Sequence, residues 1–368
     1  VIHLLGKYLA AHVPFLSFLR LTDYLSFRAI AAALTSVVLT MLLCRRLIRL
    51  LHRRSLIDQA RITSLPSSSD KRGTPTMGGA VIVGSVVLSS LLWCNPTRAS
   101  VLWVLAAFLW FGAIGFLDDL AKSRGGSAEK GLSEKKKLVL QGAFAVVFAV
   151  VMATRWSPVP QPLSTTVFFP FFKMPIVNAG WLWIPIVLFF VLFVGNSVNI
   201  TDGLDGLAIV PSVFAYSALG VFGYVMGNAI WSKYLQFPFL PGSGELMVLC
   251  SAFLGAGIGF LWYNAYPAQI FMGDTGSLAI GGGLAVLSAM LKQEFLFPLL
   301  GGLFLAEGFT SQWQDKIGVK WIGRRIFDRA PLHHALQYQG LAETKVVIRL
   351  WILSGLLAIA SLATLKLR

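Results

Sequence analysis

Asn199, Asp202 and Asp205 stand at i, i+3 and i+6 in Asn199-Ile200-Thr201-Asp202-Gly203-Leu204-Asp205-Gly206, an amide and two carboxylates between two long apolar runs. If the stretch is helical they share one face. Carboxylates at the end of an apolar span are costly to desolvate, so they turn to a cavity, a counter-charge or a metal. A helix cap followed by a solvated turn is the plainer alternative. Gly203 and Gly206 leave room for a ligand or a second backbone to approach.

Four more polar clusters punctuate the apolar chain. Lys71-Arg72-Gly73-Thr74-Pro75-Thr76-Met77-Gly78-Gly79 sets bases and threonines at a helix start, where backbone N–H groups can hold a phosphate or simply be capped. It lacks the Gly-Lys-Ser/Thr ending of a P-loop. Asp118 and Lys122 are an i, i+4 ion pair, but Asp118 and Asp119 repel each other unless a cation is near. The stretch Asn264 to Ser277 holds Phe271 and Gly273-Asp274-Thr275-Gly276-Ser277, in which Asp274 can cap the next helix or offer oxygen to a hard cation. Mg²⁺ takes a few carboxylates together with waters and substrate phosphate. Ala330-Pro331-Leu332-His333-His334 completes the set. Adjacent histidines diverge on a helix, which favours bonding to an anionic substrate group over a shared metal. A surface helix start with proline near its first position is the structural alternative.

These residues must be positioned by membrane helices. The 368 residues are 56% hydrophobic and only 13% charged, and the mean hydropathy is +0.72. A soluble domain is nearer 45–50% apolar and about 25% charged. Apolar runs predict about ten spans, near 24–44, 76–94, 99–118, 137–154, 178–198, 206–227, 245–263, 276–291, 295–313 and 346–364. Glu307, Gln312 and Gln314 interrupt the ninth. Arginine and lysine crowd the loops after spans one, three and nine, whereas the even loops hold only Arg98, Arg155, Lys173, Lys233 and Lys292. Odd loops are therefore expected in the cytoplasm and both termini outside. All five polar clusters then fall on the cytoplasmic side. The Pro- and Phe-rich segment 156–175 reads as a short outer hairpin or interfacial segment, and residues 1–368 as a single membrane domain. The net charge of +15 is interrupted by spans, so anionic lipid and phosphorylated substrates are the expected partners rather than nucleic acid. Cys44, Cys94 and Cys250 are scattered in apolar surroundings and suggest neither a disulfide framework nor a zinc site.

With GTPTMGG at 73–79, FLDDLAK at 116–122, NSVNITDGLDGLA at 196–208, YPAQIFMGDTGSLA at 266–279, APLHH at 330–334 and VVIRLWIL at 346–353, the chain resembles the phospho-N-acetylmuramoyl-pentapeptide transferases. These belong to the polyprenyl-phosphate N-acetylhexosamine-1-phosphate transferase superfamily, and the resemblance runs nearly end to end. It implies a Mg²⁺-dependent enzyme of the bacterial inner membrane. Such an enzyme moves phospho-MurNAc-pentapeptide from UDP-MurNAc-pentapeptide onto undecaprenyl phosphate and releases UMP. It further implies Asp118 and Asp119 as the catalytic pair, Asp205 close to the chemistry, His333 as a further catalytic candidate and Asp274 as metal ligand. Asn199, Asp202, Gly203, Asn264 and Phe271 match positions lining the nucleotide pocket, with Phe271 stacking on uracil. Lys71, Thr76, Lys122, Lys130, Gln314 and His334 match supporting polar positions, and a homodimer is implied as well. Where the family shows a third successive histidine this chain has Ala335, and Gly308–Gln314 is unusually polar for the ninth span. Both departures bear on which histidine contributes, not on the class.

Phosphoryl transfer is mostly positioning and charge neutralisation. One of the paired aspartates is expected either to act as base toward the lipid phosphate or to attack first, and the sequence leaves both open. Two rival readings share the acidic residues. Enzymes that use UDP-N-acetylglucosamine carry an Arg-rich motif where this chain has APLHH. A secondary transporter would hold its acids near the bilayer midplane in two related halves, whereas here they lie at helix ends.

Overall fold

The computed structural model describes residues 2–367 except 3, 4, 7, 9–11, 54–72, 126–130 and 173–176. Apolar runs in lipid must satisfy their backbone polar groups internally, and in this chain they do so as helices. After a 3₁₀ stretch, Pro14–Asp23, come α1 (Leu25–Arg53), α2 (Gly79–Trp93), α3 (Ala99–Gly125) and α4 (Glu134–Ala153). A small hairpin follows, β1 (Thr166–Val167) antiparallel to β2 (Val177–Asn178), with Thr166 opposite Asn178. A short antiparallel hairpin is thus present, its second strand lying just beyond the expected segment 156–175. Next come α5 (Trp183–Thr201), α6 (Ile209–Gly227), α7 (Ala229–Tyr234), α8 (Gly244–Asn264), α9 (Gly273–Met290), α10 (Phe297–Leu300) and α11 (Gly302–Gln312). A π-helical stretch, Trp313–Ile322, leads to α12 (Leu332–Tyr338) and α13 (Glu343–Ala363).

The protein is a multi-pass, all-α membrane protein. Among the described residues, seven helices are long and apolar enough to cross a membrane: α1, α3, α4, α5 with the turn before it, α6, α8 and α13. The other three expected spans are less regular. The second corresponds to α2, with 15 residues, and the ninth is interrupted at Gly301 between α10 and α11. The eighth is α9, whose 18 residues include a run of three glycines.

That helix is the axis of the molecule. Every residue from Thr275 to Met290 is buried, with α3 along one side, α5 along another and α2 crossing near its start. Small residues permit this: a Cβ on Gly281 would overlap Gly195 of α5, and one on Gly79 of α2 would overlap Gly276. Phe108, Phe111, Tyr216, Phe253 and Phe260, all fully buried, fill the space around it.

One sequence expectation is corrected here. Asn199, Asp202 and Asp205 do not share a helical face, because α5 ends at Thr201 and residues 202–208 form an irregular turn. Gly206 adopts φ +74, a left-handed conformation that a continuing α-helix excludes and that glycine accepts without penalty.

Candidate active site

The site is assembled where α3 crosses the start of α9. A Cβ on Gly115 would overlap the backbone of Asp274, so glycine lets the two helices touch. Asp118 and Asp119 lie three and four residues further along α3, on the face that Gly115 opens. That close approach brings Asp118, Asp119 and Asp274 together, with one carboxylate oxygen from each lying within 4.8 Å of the others.

Asp119 is buried and faces the first turn of α9. Its Oδ1 accepts the Asp274 N–H at 3.1 Å, and its Oδ2 accepts the Thr275 N–H at 2.9 Å and the Thr275 hydroxyl at 2.6 Å. Helix N-termini present unpaired N–H groups, usually capped by the preceding residue. Here the preceding residue, Met272, makes no side-chain cap, and a carboxylate from another helix replaces it. Of the two roles the sequence offers Asp274, capping α9 is therefore taken by Asp119.

Asp118 is fully buried and accepts the Leu132 N–H at 2.6 Å through Oδ1. Its Oδ2 meets two ammonium groups, Lys122 and Lys137, each at 2.7 Å. Both lysines also reach Asp274 Oδ2, at 3.1 Å and 2.8 Å. The pairing of Asp118 with Lys122 is thus one edge of a four-residue bridge rather than an isolated contact along one helix. Three carboxylates against two ammonium groups leave one excess negative charge, partly offset by the positive end of α9. Asp274, Lys122 and Lys137 keep 19%, 29% and 20% of their side-chain surface exposed, so the bridge opens to the protein surface on one side. The donor set is hard oxygen only, which suits Mg²⁺ or another oxygen-seeking divalent cation.

A second group of predicted residues secures the neighbouring loops. Asp205, buried, accepts the Ala268 N–H at 3.0 Å. Asn264 accepts the Gly206 N–H at 3.1 Å and donates to Ile270 O at 2.9 Å. Together they fasten the 202–208 turn to the segment that leads into α9. Asn199 donates to Ser277 Oγ at 2.9 Å, one turn beyond Asp274. Phe271, half-buried, is held through its backbone, donating to Pro75 O at 2.8 Å and accepting from Gly78 N at 2.9 Å. Thr76 lies beside Gly273, where a Cβ would sit 2.9 Å from its hydroxyl and 2.6 Å from Asp119 Oδ2. Asp205 is not one of the three converging carboxylates; its visible work is on the loop.

His333 lies on α12, buried, with Nδ1 3.1 Å from Glu307 Oε2 and its ring against Gly203. His334 turns the other way, to Gln337 at 3.1 Å. Burial, reinforced by the neighbouring His333, holds the His334 imidazole below its ordinary range. Gln314 receives the N–H groups of Ile326 and Phe327 and donates to Phe327 O, so its amide pins the approach to α12. Asp202 is half-buried and Gly203 exposed on the turn. Lys71 and Lys130 lie outside the described residues.

Sequence reasoning passed over two participants. Lys137 reads as one of several basic loop residues, and only the fold aims it at Asp118. Glu307 reads as an interruption of an apolar span. The signal available was its isolation, since an acid in an apolar helix needs a partner.

Comparison with known proteins gives a consistent picture. Residues 101–292 match the model for glycosyl transferase family 4, and residues 71–83 match phospho-N-acetylmuramoyl-pentapeptide-transferase signature 1. The chain is 42% identical over 356 residues to a phospho-N-acetylmuramoyl-pentapeptide-transferase of Syntrophus aciditrophicus (strain SB), covering 96% of both chains. It is 44% identical over 360 residues to the protein of the same name from Chlorobium phaeobacteroides (strain BS1), covering 94% of each. A third relative so named, from Chlorobium luteolum (strain DSM 273 / BCRC 81028 / 2530), is 43% identical over 356 residues and 95% of each chain.

Proposed function

The chain belongs to the phospho-N-acetylmuramoyl-pentapeptide-transferase family, whose reaction moves phospho-MurNAc-pentapeptide onto undecaprenyl phosphate in peptidoglycan synthesis, and from that premise we propose that Asp118, Asp119 and Asp274 form the centre where this chain carries it out. The observation that carries the proposal is the cluster itself: three carboxylates from two helices converge within 4.8 Å, and two of them, Asp118 and Asp274, share two lysines.

Asp274 and Asp118 would hold Mg²⁺, since the Asp119 oxygens are engaged by the first turn of α9. A cation held there would supply positive charge to offset the negative charge of the donor diphosphate. Lys122 and Lys137 are already desolvated on one side, and their ammonium groups turn from the carboxylates to the phosphate oxygens of donor and lipid. Asp118 or Asp119 serves as base toward the lipid phosphate or as nucleophile. The anchored 264–271 segment presents Phe271 to the uracil, and Asn199, Asp202, Gly203 and Asn264 shape the nucleotide side. Thr76, Gln314 and His334 support this arrangement from neighbouring segments, joined by Lys71 and Lys130. His333 contributes from α12.

Ten spans, both termini outside, a single domain over 1–368 and a site on the cytoplasmic face of the bacterial inner membrane complete the reading. It is supported by the basic residues that gather in the odd loops. A homodimer belongs to the same family-based reading.

Donor choice tests the proposal. Purified protein with undecaprenyl phosphate and Mg²⁺ should release UMP from UDP-MurNAc-pentapeptide and not from UDP-N-acetylglucosamine. Release from UDP-N-acetylglucosamine alone would assign the chain to the sister enzymes.

A further inference from the structure

Glu307 lies within α11 in the apolar run Leu303-Phe304-Leu305-Ala306-Glu307 and is fully buried. A carboxylate removed from water requires hydrogen-bond donors. Among the described residues, the donors in contact with its side chain come from one residue. The His333 backbone N–H donates to Oε1 at 3.1 Å, and His333 Nδ1 lies 3.1 Å from Oε2. His333 is itself 1% exposed. Its second ring nitrogen, Nε2, is buried without a hydrogen-bond partner among the described residues. That nitrogen faces Gly203, where a Cβ would overlap the imidazole edge. The 202–208 turn therefore rests on an unpaired nitrogen, and it can do so because residue 203 has no side chain.

We infer that Glu307 is a positioning residue for His333, holding it in the Nδ1–H tautomer so that the Nε2 lone pair is presented under the turn Asp202–Gly206. An ionised carboxylate only accepts hydrogen bonds, so the ring nitrogen facing it carries the proton. The partner of one ring nitrogen then sets the state of the other. The backbone N–H on Oε1 fixes the carboxylate, and the carboxylate fixes the ring, the same division of labour by which a buried aspartate orients a catalytic histidine. The Nε2–H tautomer would set the Nδ1 lone pair against the carboxylate and leave a buried N–H unpaired under the turn, so the contact with Glu307 selects Nδ1–H. The inference rests on the reading that His333 takes part in the transfer.

The test uses the full-length protein labelled with ¹⁵N-histidine, in detergent, together with UMP-release kinetics. The chain has five histidines, and comparison with His333→Ala assigns the signal of interest. The wild type should carry the His333 proton on Nδ1. Glutamine offers one acceptor oxygen where glutamate offers two. In Glu307→Gln the side-chain oxygen keeps the backbone N–H, the amide donates to Nδ1, and the proton moves to Nε2. Turnover should then fall by at least about tenfold with the donor KM nearly unchanged. Glu307→Asp, which keeps an acceptor-only partner, should restore the Nδ1–H signal and part of the rate. A wild-type proton on Nε2 overturns the inference, and this spectrum needs no variant at position 307 to fold. Wild-type turnover in Glu307→Gln, alongside loss in His333→Ala, removes the positioning role alone. Full turnover in His333→Ala removes the underlying reading of His333.

Discussion

The two ends of α9 both bury charge, and they do so in opposite styles. At its start, three carboxylates face two lysines, with 19–29% of the Asp274 and lysine side chains exposed. Past its end, about 27 Å away along an 18-residue helix, Lys292 and Glu294 form a one-to-one pair at 2.9 Å with side chains 0% and 2% exposed. The Lys292 ammonium also donates to Ser164 O at 3.0 Å and lies 4.4 Å from the Trp183 ring centre. Trp183 donates in turn to Glu294 at 3.3 Å. This closed pair ties the segment before β1 and the start of α5 to the loop after α9. It is balanced in charge and sealed, with Glu294 Oε2 buried without a hydrogen-bond partner among the described residues. The open bridge carries one uncompensated negative charge and lysines that water can reach, the condition for admitting a cation and exchanging carboxylates for phosphates. Burial of charge alone therefore does not mark the site; imbalance with access does.

Substitutions can break or sharpen that contrast. Asp118→Asn should have the largest effect, lowering the rate of UMP release about 10³-fold, or about 4 kcal/mol of barrier, while Asp274 still holds both lysines and preserves the fold. A rate within tenfold of wild type would detach the bridge from catalysis. At the closed end, Lys292→Met strands a buried carboxylate and should cost about 3 kcal/mol of stability, read as a lower midpoint of thermal unfolding. The rate per folded molecule should stay unchanged. Adding Glu294→Leu should recover most of the loss, and a single variant as stable as wild type would show that the pair is not structural. Lys137→Met should slow turnover about 100-fold with little change in melting, because Lys122 still spans Asp118 and Asp274. An equal loss of melting temperature would recast Lys137 as structural.

The smallest effect is expected at His334. Its folded-state pKa is depressed by burial and then by His333, so the unfolded chain takes up the proton first. Stability associated with the neutral ring is thus lost as pH falls through its ordinary value of about 6.5. The melting temperature of His334→Gln should depend less on pH across that range. An unchanged slope would contradict the assignment.

Much of the architecture is legible in the sequence because membrane helices announce themselves by apolar length. Seven spans and the short hairpin follow from composition and turn residues. The remaining three expected spans do not meet that measure for physical reasons: α9 is sheathed by other helices and can be rich in glycine, α2 is short, and the ninth breaks at Gly301. The acids of the site are legible as separate motifs, but their convergence is not. Asp119 and Asp274 are 155 residues apart in hydrogen-bonding partners, and what joins them is a glycine at 115 whose neighbour no local pattern reveals. The helical spacing of Asn199, Asp202 and Asp205 misleads for a related reason. The helix ends at Thr201, before Asp202 and Asp205, so the i, i+3, i+6 spacing never becomes a shared face.

The most direct test of the central claim is the Mg²⁺ dependence of UMP release from UDP-MurNAc-pentapeptide, with undecaprenyl phosphate, for wild type and Asp274→Asn at matched folded concentration. The wild type should show saturable dependence on Mg²⁺, and Asp274→Asn should lose both the rate and the saturation within the accessible range. A variant that keeps the wild-type rate and the wild-type Mg²⁺ midpoint would contradict the account, because the bridge at the start of α9 would then not be where the cation and the chemistry meet.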